Sequence, residues 1–301
     1  MNHQNYSYKL YGLNISSEFE LNGLVPGNGA SPDVHISSGT IPDHIDNYKI
    51  RGLRYQAKPG HFFLKVDKIA KFLVKDGKQI IVDAKPTTTE QEINLFLLGS
   101  TMGALLQQRQ LLTLHGSAII YNGHAVIFSG VSGVGKSTLA SAFAKKGCKI
   151  IADDISVVQL KNGNPYILPA SPFLKLWEDS IEKIGEKPKD LSYIRKGLRK
   201  YRFPVIKNFS NEIIPIGRIY ILNTKNNTAI EIRELEKRHK LAALINNTYR
   251  KKFLNGLSDK SFHFQYCQKI ALSIPIKVVT RSRGGFLLNE LTELIEQDLK
   301  L

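Results

Sequence analysis

With 301 residues and 42% apolar side chains, the chain can bury a substantial core and falls in the globular range. Its formal net charge of +16 invites nucleic acid, an anionic membrane surface or an acidic protein as partner. Two cysteines, Cys148 and Cys267, exclude a disulfide framework. No apolar run approaches a membrane span and Met1-Asn2-His3-Gln4 opens no secretory signal, so the expected setting is a reducing cytoplasm.

From Tyr6 to about Lys85 the sequence is β-rich. Phe62-Phe63-Leu64-Lys65-Val66, Phe72-Leu73-Val74 and Gln79-Ile80-Ile81-Val82 read as short strands. Gly60-His61, Asp67-Lys68 and Asp76-Gly77 punctuate them. The expectation is an antiparallel meander with no catalytic constellation, a module that either docks a partner or braces the remainder of the chain. A helix from about Glu90 to Gln107, with Ile93, Leu97, Ala104 and Leu105 as its apolar stripe, would bridge to the second part. The expected organisation is a β-rich module over residues 1–88 and a nucleotide-binding domain over 89–301, of α/β class (α+β overall) with a mixed sheet.

Leu112 to Tyr121 reads as a strand, and Asn122-Gly123 is a strong two-residue hairpin signal. A type I′ turn there pairs residues whose numbers sum to 245. Tyr121 then faces His124, Ser117 faces Phe128, and His115 faces Gly130. That register would set an imidazole beside Gly130; the alternative is a histidine satisfied at a strand end.

Ala125-Val126-Ile127-Phe128-Ser129 reads as a buried strand, and Gly130-Val131-Ser132-Gly133-Val134-Gly135-Lys136-Ser137 comes directly after it. The stretch fits G-x-x-x-x-G-K-[ST] at every fixed position. A helix over Ser137 to Lys146 then carries Leu139, Ala142 and Phe143 on one face, with Gly147 at its C-cap. Strand, glycine loop and helix are the setting in which backbone N–H groups and a helix N-terminus cradle phosphates. Lys136 would reach the β- and γ-phosphates, the Ser137 hydroxyl would ligate Mg²⁺, and Thr138 completes the binding stretch. The implied cofactors are ATP and Mg²⁺.

Cys148-Lys149-Ile150-Ile151-Ala152 is a strand that ends in Asp153-Asp154, with Cys148 expected in the core. An acid at the end of the strand after such a loop is the usual second Mg²⁺ contact. Neighbours on a strand point opposite ways, so one carboxylate would hold the metal and the other accept a proton from an attacking hydroxyl. Which does which stays open, and an acidic turn is the plain alternative.

Ile155–Leu160 and 165–168 form a second hairpin around Asn162-Gly163. In Phe173-Leu174-Lys175-Leu176-Trp177, Trp177 reads as core rather than as a stacking platform. Residues 181–260 hold 19 Lys/Arg against 8 Asp/Glu, +11 of the net charge. These charges alternate with apolar residues, as in Arg195-Lys196-Gly197-Leu198-Arg199-Lys200-Tyr201-Arg202-Phe203. A solvated basic surface around a triphosphate site is thus an alternative to nucleic-acid binding, which no zinc-finger, RNA-recognition or helix-turn-helix signature supports. Ile213 to Leu222 reads as a strand, Leu235 to Phe253 as a helix and Ile276 to Val279 as a last strand. A closing helix carries Leu287, Leu288, Leu291 and Ile295. Arg281 and Arg283, beside Gly284-Gly285, would stabilise transferring phosphoryl charge or serve as ordinary surface arginines.

Leu114-His115-Gly116, the Gly130–Ser137 loop and Ala152-Asp153-Asp154, in this order and spacing, resemble the catalytic domain of HPr kinase/phosphorylase. That bacterial family phosphorylates a serine on a carrier protein. The resemblance is good over roughly residues 105–165 and looser beyond. It implies a P-loop kinase domain of HPr kinase type that binds ATP on the loop. It also implies Mg²⁺ and proton-transfer roles for Asp153 and Asp154, and His115 in the site. The family's E-I-R-G-L-G signature is absent; Leu168-Pro169-Ala170-Ser171-Pro172-Phe173-Leu174-Lys175-Leu176-Trp177 stands in that region. HPr as acceptor and the reverse phosphorylase reaction therefore stay open. The layout is closer to the HPr-kinase-like proteins found with lasso-peptide precursors, which implies a kinase for a peptide serine. The implied partner is a protein or peptide carrying an acceptor serine, an acidic one among the options, and a homo-oligomer is compatible. Two other readings remain: a small-molecule kinase for free serine or a polyol, and a non-catalytic nucleotide-binding regulator that docks nucleic acid.

Overall fold

The computed structural model describes residues 5–189, 191–195, 197–226, 229–258, 260–283 and 287–300. In chain order the first elements are β1 (Tyr6–Leu10), β2 (Leu13–Ser17), β3 (Val25–Pro26), β4 (Val34–Ser38), β5 (Ile50–Arg51), β6 (Tyr55–Lys58), β7 (His61–Val66), β8 (Ala70–Lys75), β9 (Gln79–Ala84), α1 (Glu90–Phe96) and α2 (Met102–Gln108). There follow β10 (Leu112–Tyr121), β11 (His124–Gly130), α3 (Lys136–Lys145), β12 (Lys149–Ala152), β13 (Ile155–Lys161), β14 (Asn164–Leu168), β15 (Phe173–Trp177), α4 (Glu178–Lys183), β16 (Lys200–Pro204), β17 (Ile214–Lys225) and β18 (Glu231–Glu234). The last are α5 (Lys237–Asn246), α6 (Leu254–Leu257), α7 (Lys260–Ser273), β19 (Ile276–Ser282) and α8 (Leu288–Lys300). The fold is mixed α/β.

The described residues divide into two compact units, one within Met1–Thr113 and Thr248–Tyr266, the other within Leu114–Asn247 and Cys267–Leu301. The boundary expected near residue 88 falls inside the first unit, and the second is interrupted where the chain returns to the first.

In the first unit the described strands form one sheet in the order β3-β1-β2-β4-β9-β8-β7-β6-β5. The expected meander is present from β5 to β9, where every neighbour is antiparallel. Two parallel pairings, β2 with β4 and β4 with β9, extend the sheet beyond it. Thr89 caps α1 in a capping box with Glu92, which satisfies orphan N–H groups at the helix start. The helix expected over 90–107 is present as one continuous helical run from Glu90 to Gln108, with a π-helical turn at Leu97–Thr101 between α1 and α2. Phe253, from the returning segment, packs on Tyr55 and Phe62 at ring separations of 4.6 and 4.5 Å. That return ends the expected long helix early. After α5 stops at Asn246, Arg250 takes a left-handed φ of 50° and the chain turns.

In the second unit, β11, β10, β13, β14 and β17 form a closed circuit, because the long β17 pairs with β14 at its start and with β11 further on. β19 and β18 continue from β17. Apolar faces of β11, α3, β17 and α8 meet in a core built on Phe128, Phe143, Tyr220, Leu291 and Ile295. Phe128 stacks on Phe143 at 5.6 Å and on Tyr220 at 6.0 Å. Asp298 anchors the end of α8 by accepting from Tyr220 Oη (2.5 Å), Lys277 Nζ (2.6 Å) and Arg218 (2.9 Å). Leu288, Leu291 and Ile295 are buried as expected, while Leu287 precedes the helix and is exposed. Cys148 is half-buried rather than core, and Cys267 is buried; both are free thiols. Among the described residues no helix is long and apolar enough to cross a membrane.

Candidate active site

The Asn122-Gly123 turn sets the site's first register. Both residues adopt positive φ, 47° and 77°, and the β10–β11 ladder runs from Tyr121↔His124 through Ser117↔Phe128 to Gly116↔Ser129. It stops one residue short of the expected His115↔Gly130 pair. The His115 N–H instead donates to the Asn247 carbonyl (2.8 Å), and Ser129 Oγ donates to the His115 carbonyl (2.9 Å).

At the end of β11 the backbone turns sharply. Gly130 has φ 145°, Gly133 82° and Gly135 103°, the last serving as N-cap of α3. A Cβ on Gly130 would lie 2.7 Å from the Leu222 carbonyl of the parallel neighbour β17, so glycine is required there on both counts. β11 and β12 both run antiparallel to β10, so their carboxyl ends lie together. Parallel pairing through β17 brings the end of β19, with Arg281, to the same side.

The result is a cleft of about 510 Å³. The described residues lining it include Ser132, Gly133, Gly135, Lys136, Ser137 and Thr138 of the loop and helix start, together with His115, Asp153, Asp154, Arg281 and Arg283. Gly130, Val131 and Val134 complete the loop: Val134 is buried, and Val131 is 72% exposed. Gly284-Gly285, beside the arginines in sequence, lies outside the described residues.

The two aspartates follow the end of β12 in a bend, and their carboxylates meet different side chains. Asp153 is buried and accepts three hydrogen bonds, from Ser117 Oγ (2.5 Å), Ser137 Oγ (2.7 Å) and the Lys175 backbone N–H (2.7 Å). Asp154 sits at φ 68°. Its carboxylate takes the Lys175 ammonium at 2.6 Å, and His115 Nδ1 lies 3.6 Å from it and 3.1 Å from the Asp154 carbonyl. Burial pushes the Asp154 carboxyl up, but Lys175 outweighs it and holds the group well below the usual carboxylate range. His115 is lowered, first by burial and then by Lys136, so the imidazole is neutral at pH 7.

Lys136 is 6% exposed and donates to two carbonyls of its own loop, Gly130 (3.0 Å) and Val131 (2.9 Å). Burial lowers its pKa from 10.5 to about 8, against the opposing pull of Asp153 and Asp154. Arg281 donates to the carbonyls of Val134 (3.1 Å) and Ser282 (2.8 Å), which ties the end of β19 to the loop.

Several lining residues carry no functional reading in the sequence. Lys175 stands as a lone cation in an apolar strand, and that isolation is the available signal. β15 pairs antiparallel with β16, which sets Trp177 opposite Lys200 and Lys175 opposite Arg202. Trp177 is not core: it is 39% exposed at the cleft, with Lys200 Nζ 5.5 Å from its ring centroid. Lys183, Lys200 and Asp179 also line the cleft. Part of the basic run thus faces this site, where Lys136, Lys175, Lys183, Lys200, Arg281 and Arg283 outnumber Asp153, Asp154 and Asp179. A cleft with that excess favours a polyanion.

No protein-family model matches this sequence, and no curated protein matches it. Among solved structures, the HPr(Ser) kinase/phosphatase from Coxiella burnetii is similar over 62% of this chain and 89% of its own, at 12% identity and a TM-score of 0.33. A likeness of that size carries no functional weight.

The donor chemistry offers oxygen ligands, of the kind that suit a hard divalent cation. Among the described residues no group of three or more His, Cys, Asp or Glu side chains is suited to holding an ion. One carboxylate and one hydroxyl, Asp153 and Ser137, are hard oxygen donors 2.7 Å apart. Mg²⁺ is commonly held this way, by one or two carboxylates with substrate phosphates and water rather than by a protein cage.

Proposed function

We propose that the second unit is an ATP-dependent kinase that transfers the γ-phosphoryl group to a serine hydroxyl on a protein or peptide. The observation that carries this reading is the division of labour between adjacent carboxylates in one cleft. Asp153 is bonded to the loop's own Ser137, while Asp154 stands with His115 and Lys175.

On this reading the amides around Gly133–Lys136 and the Lys136 ammonium hold the phosphates, exchanging the Gly130 and Val131 carbonyls for phosphate oxygens. Mg²⁺ held by Ser137 and Asp153 would neutralise charge on the β- and γ-oxygens. Asp154 accepts the proton of the acceptor hydroxyl. A carboxylate held low by an ion pair is a weak base, so Lys175 must leave Asp154 for the incoming phosphates, which frees the carboxylate and adds a cation beside the transferring group. Arg281 and Arg283 contribute further positive charge. The cationic excess suits an acidic segment around the acceptor serine.

Purified protein with γ-labelled ATP and Mg²⁺, offered serine-ended acidic peptides, HPr or free serine, tests this directly, with Lys136→Ala as control. Label on a peptide or on HPr, lost in the control, is the expected result. Label on free serine alone would make the chain a small-molecule kinase. ATP binding without any transfer would make the nucleotide a regulatory ligand and refute the kinase reading.

A further inference from the structure

We propose that Trp177 is the stacking platform for the base of the bound nucleotide, and that it makes the cleft select purine nucleoside triphosphates over bare polyphosphate. The inference rests on the nucleotide-binding reading above and adds a subsite to it.

Trp177 is the chain's single tryptophan. It closes β15, begins α4, and keeps 39% of its surface exposed at the cleft. Large aromatic rings are normally drawn into a core or used to contact a ligand. The core of this unit does take the neighbouring apolar residues of the strand: Phe173, Leu174 and Leu176 are all buried. Alternation along β15 puts Lys175 and Trp177 on one face, and both line the cleft, where Leu176 of the opposite face contributes only a buried side chain's edge.

Position along the cleft separates the roles of these two residues. Lys175 contacts Asp154, and the acceptor hydroxyl must approach that end. Trp177, two residues on, lies about 7 Å further along the strand, a distance comparable with the span of a triphosphate chain. The first turn of α4 is fastened to the start of α3 at the same end: Thr138 Oγ1 donates to Ser180 Oγ at 2.9 Å, with both residues buried. A triphosphate lying with its γ end at Asp154 would lead its nucleoside past Thr138 towards Trp177. Lys200 beside the indole places a cation there as well, within reach of the phosphate nearest the base. Stacking on an indole tolerates either purine and favours the larger ring systems over pyrimidines.

The test measures ATP, CTP and inorganic tripolyphosphate binding by calorimetry, each with Mg²⁺, for wild type, Trp177→Ala, Trp177→Phe and Lys136→Ala. Expected are a loss of about 5- to 150-fold in ATP affinity for Trp177→Ala, substantial rescue by Trp177→Phe and unchanged tripolyphosphate affinity in both. In wild type, ATP should quench the single tryptophan's emission and tripolyphosphate should not. ATP affinity in Trp177→Ala within about twofold of wild type would overturn the proposal, as would an equal loss for tripolyphosphate. In either case ATP binding abolished by Lys136→Ala would leave the nucleotide reading standing. Wild-type protein that binds neither ligand would overturn both.

Discussion

Replacing Lys136 by Met should abolish nucleotide binding and yet leave the ligand-free protein slightly more stable. The ammonium is 6% exposed and its pKa lies at about 8, against 10.5 in water. That gap corresponds to about 3 kcal/mol of destabilisation by the buried charge at pH 7. Methionine of similar length removes this term but leaves the Gly130 and Val131 carbonyls without their donor, at about 1 kcal/mol each. The balance is a gain of about 1 kcal/mol. Its pH dependence has a definite sign. The folded pKa lies below the unfolded one, so the penalty is complete below pH 8, shrinks as the folded lysine loses its proton, and is gone above 10.5. Urea denaturation of wild type and Lys136→Met at pH 7 and pH 10, with and without Mg²⁺-ATP, measures all of this. ATP at 100 times its dissociation constant should stabilise wild type by about 2.7 kcal/mol and the variant not at all. A ligand-free variant less stable than wild type at pH 7, or an equal difference at both pH values, would refute the reasoning.

Two further outcomes are expected from the same geometry. Asp154→Asn should keep ATP binding but lower turnover by about 10²–10⁴-fold, the usual worth of a general base; steady-state transfer assays beside a binding titration check it, and undiminished transfer would move the proton-accepting role elsewhere. Gly130→Ala forces a Cβ to 2.7 Å from the Leu222 carbonyl at φ 145°. It should destabilise the fold by about 2–4 kcal/mol through loss of the β11–β17 pairing, read by chemical denaturation.

The part of this site that is legible in the sequence is the part that local chemistry encodes. The loop needs glycines at fixed places, and the hairpin register comes from one Asn-Gly turn by arithmetic. Hence Ser117↔Phe128 is observed as expected, and the second Asn-Gly turn, at 162–163, is observed with positive φ at both residues. The register fails only at its last step, where Asn247 takes the His115 N–H in place of Gly130. Neither partner's neighbourhood in sequence announces that bond. Lys175 and Trp177 mislead for the same reason. A five-residue strand of mostly apolar residues reads as core on both faces, and only its pairing with β16 and its place beside β12 turn one face to the cleft. The return of residues 248–266 to the first unit is invisible because a ring such as Phe253 carries no record of which distant rings will cover it.

The cleft is held together by pairings that a triphosphate would have to exchange. Lys136 is satisfied by its own loop carbonyls, Lys175 by Asp154, and Ser137 by Asp153. Each arrangement is adequate without being the best available to the group: a buried ammonium on two neutral carbonyls still titrates near 8. A polyanion would offer both lysines a stronger partner, and on the proposed reading would free the Asp154 carboxylate to act as a base. Binding and activation would then be one charge rearrangement, with Asp154 held inactive by Lys175 until phosphate arrives. That exchange would account for a lysine directed at an aspartate in a strand whose buried side chains are apolar. An ion pair placed there for stability alone could be replaced by apolar packing at little loss, whereas a lysine that changes partners on binding could not.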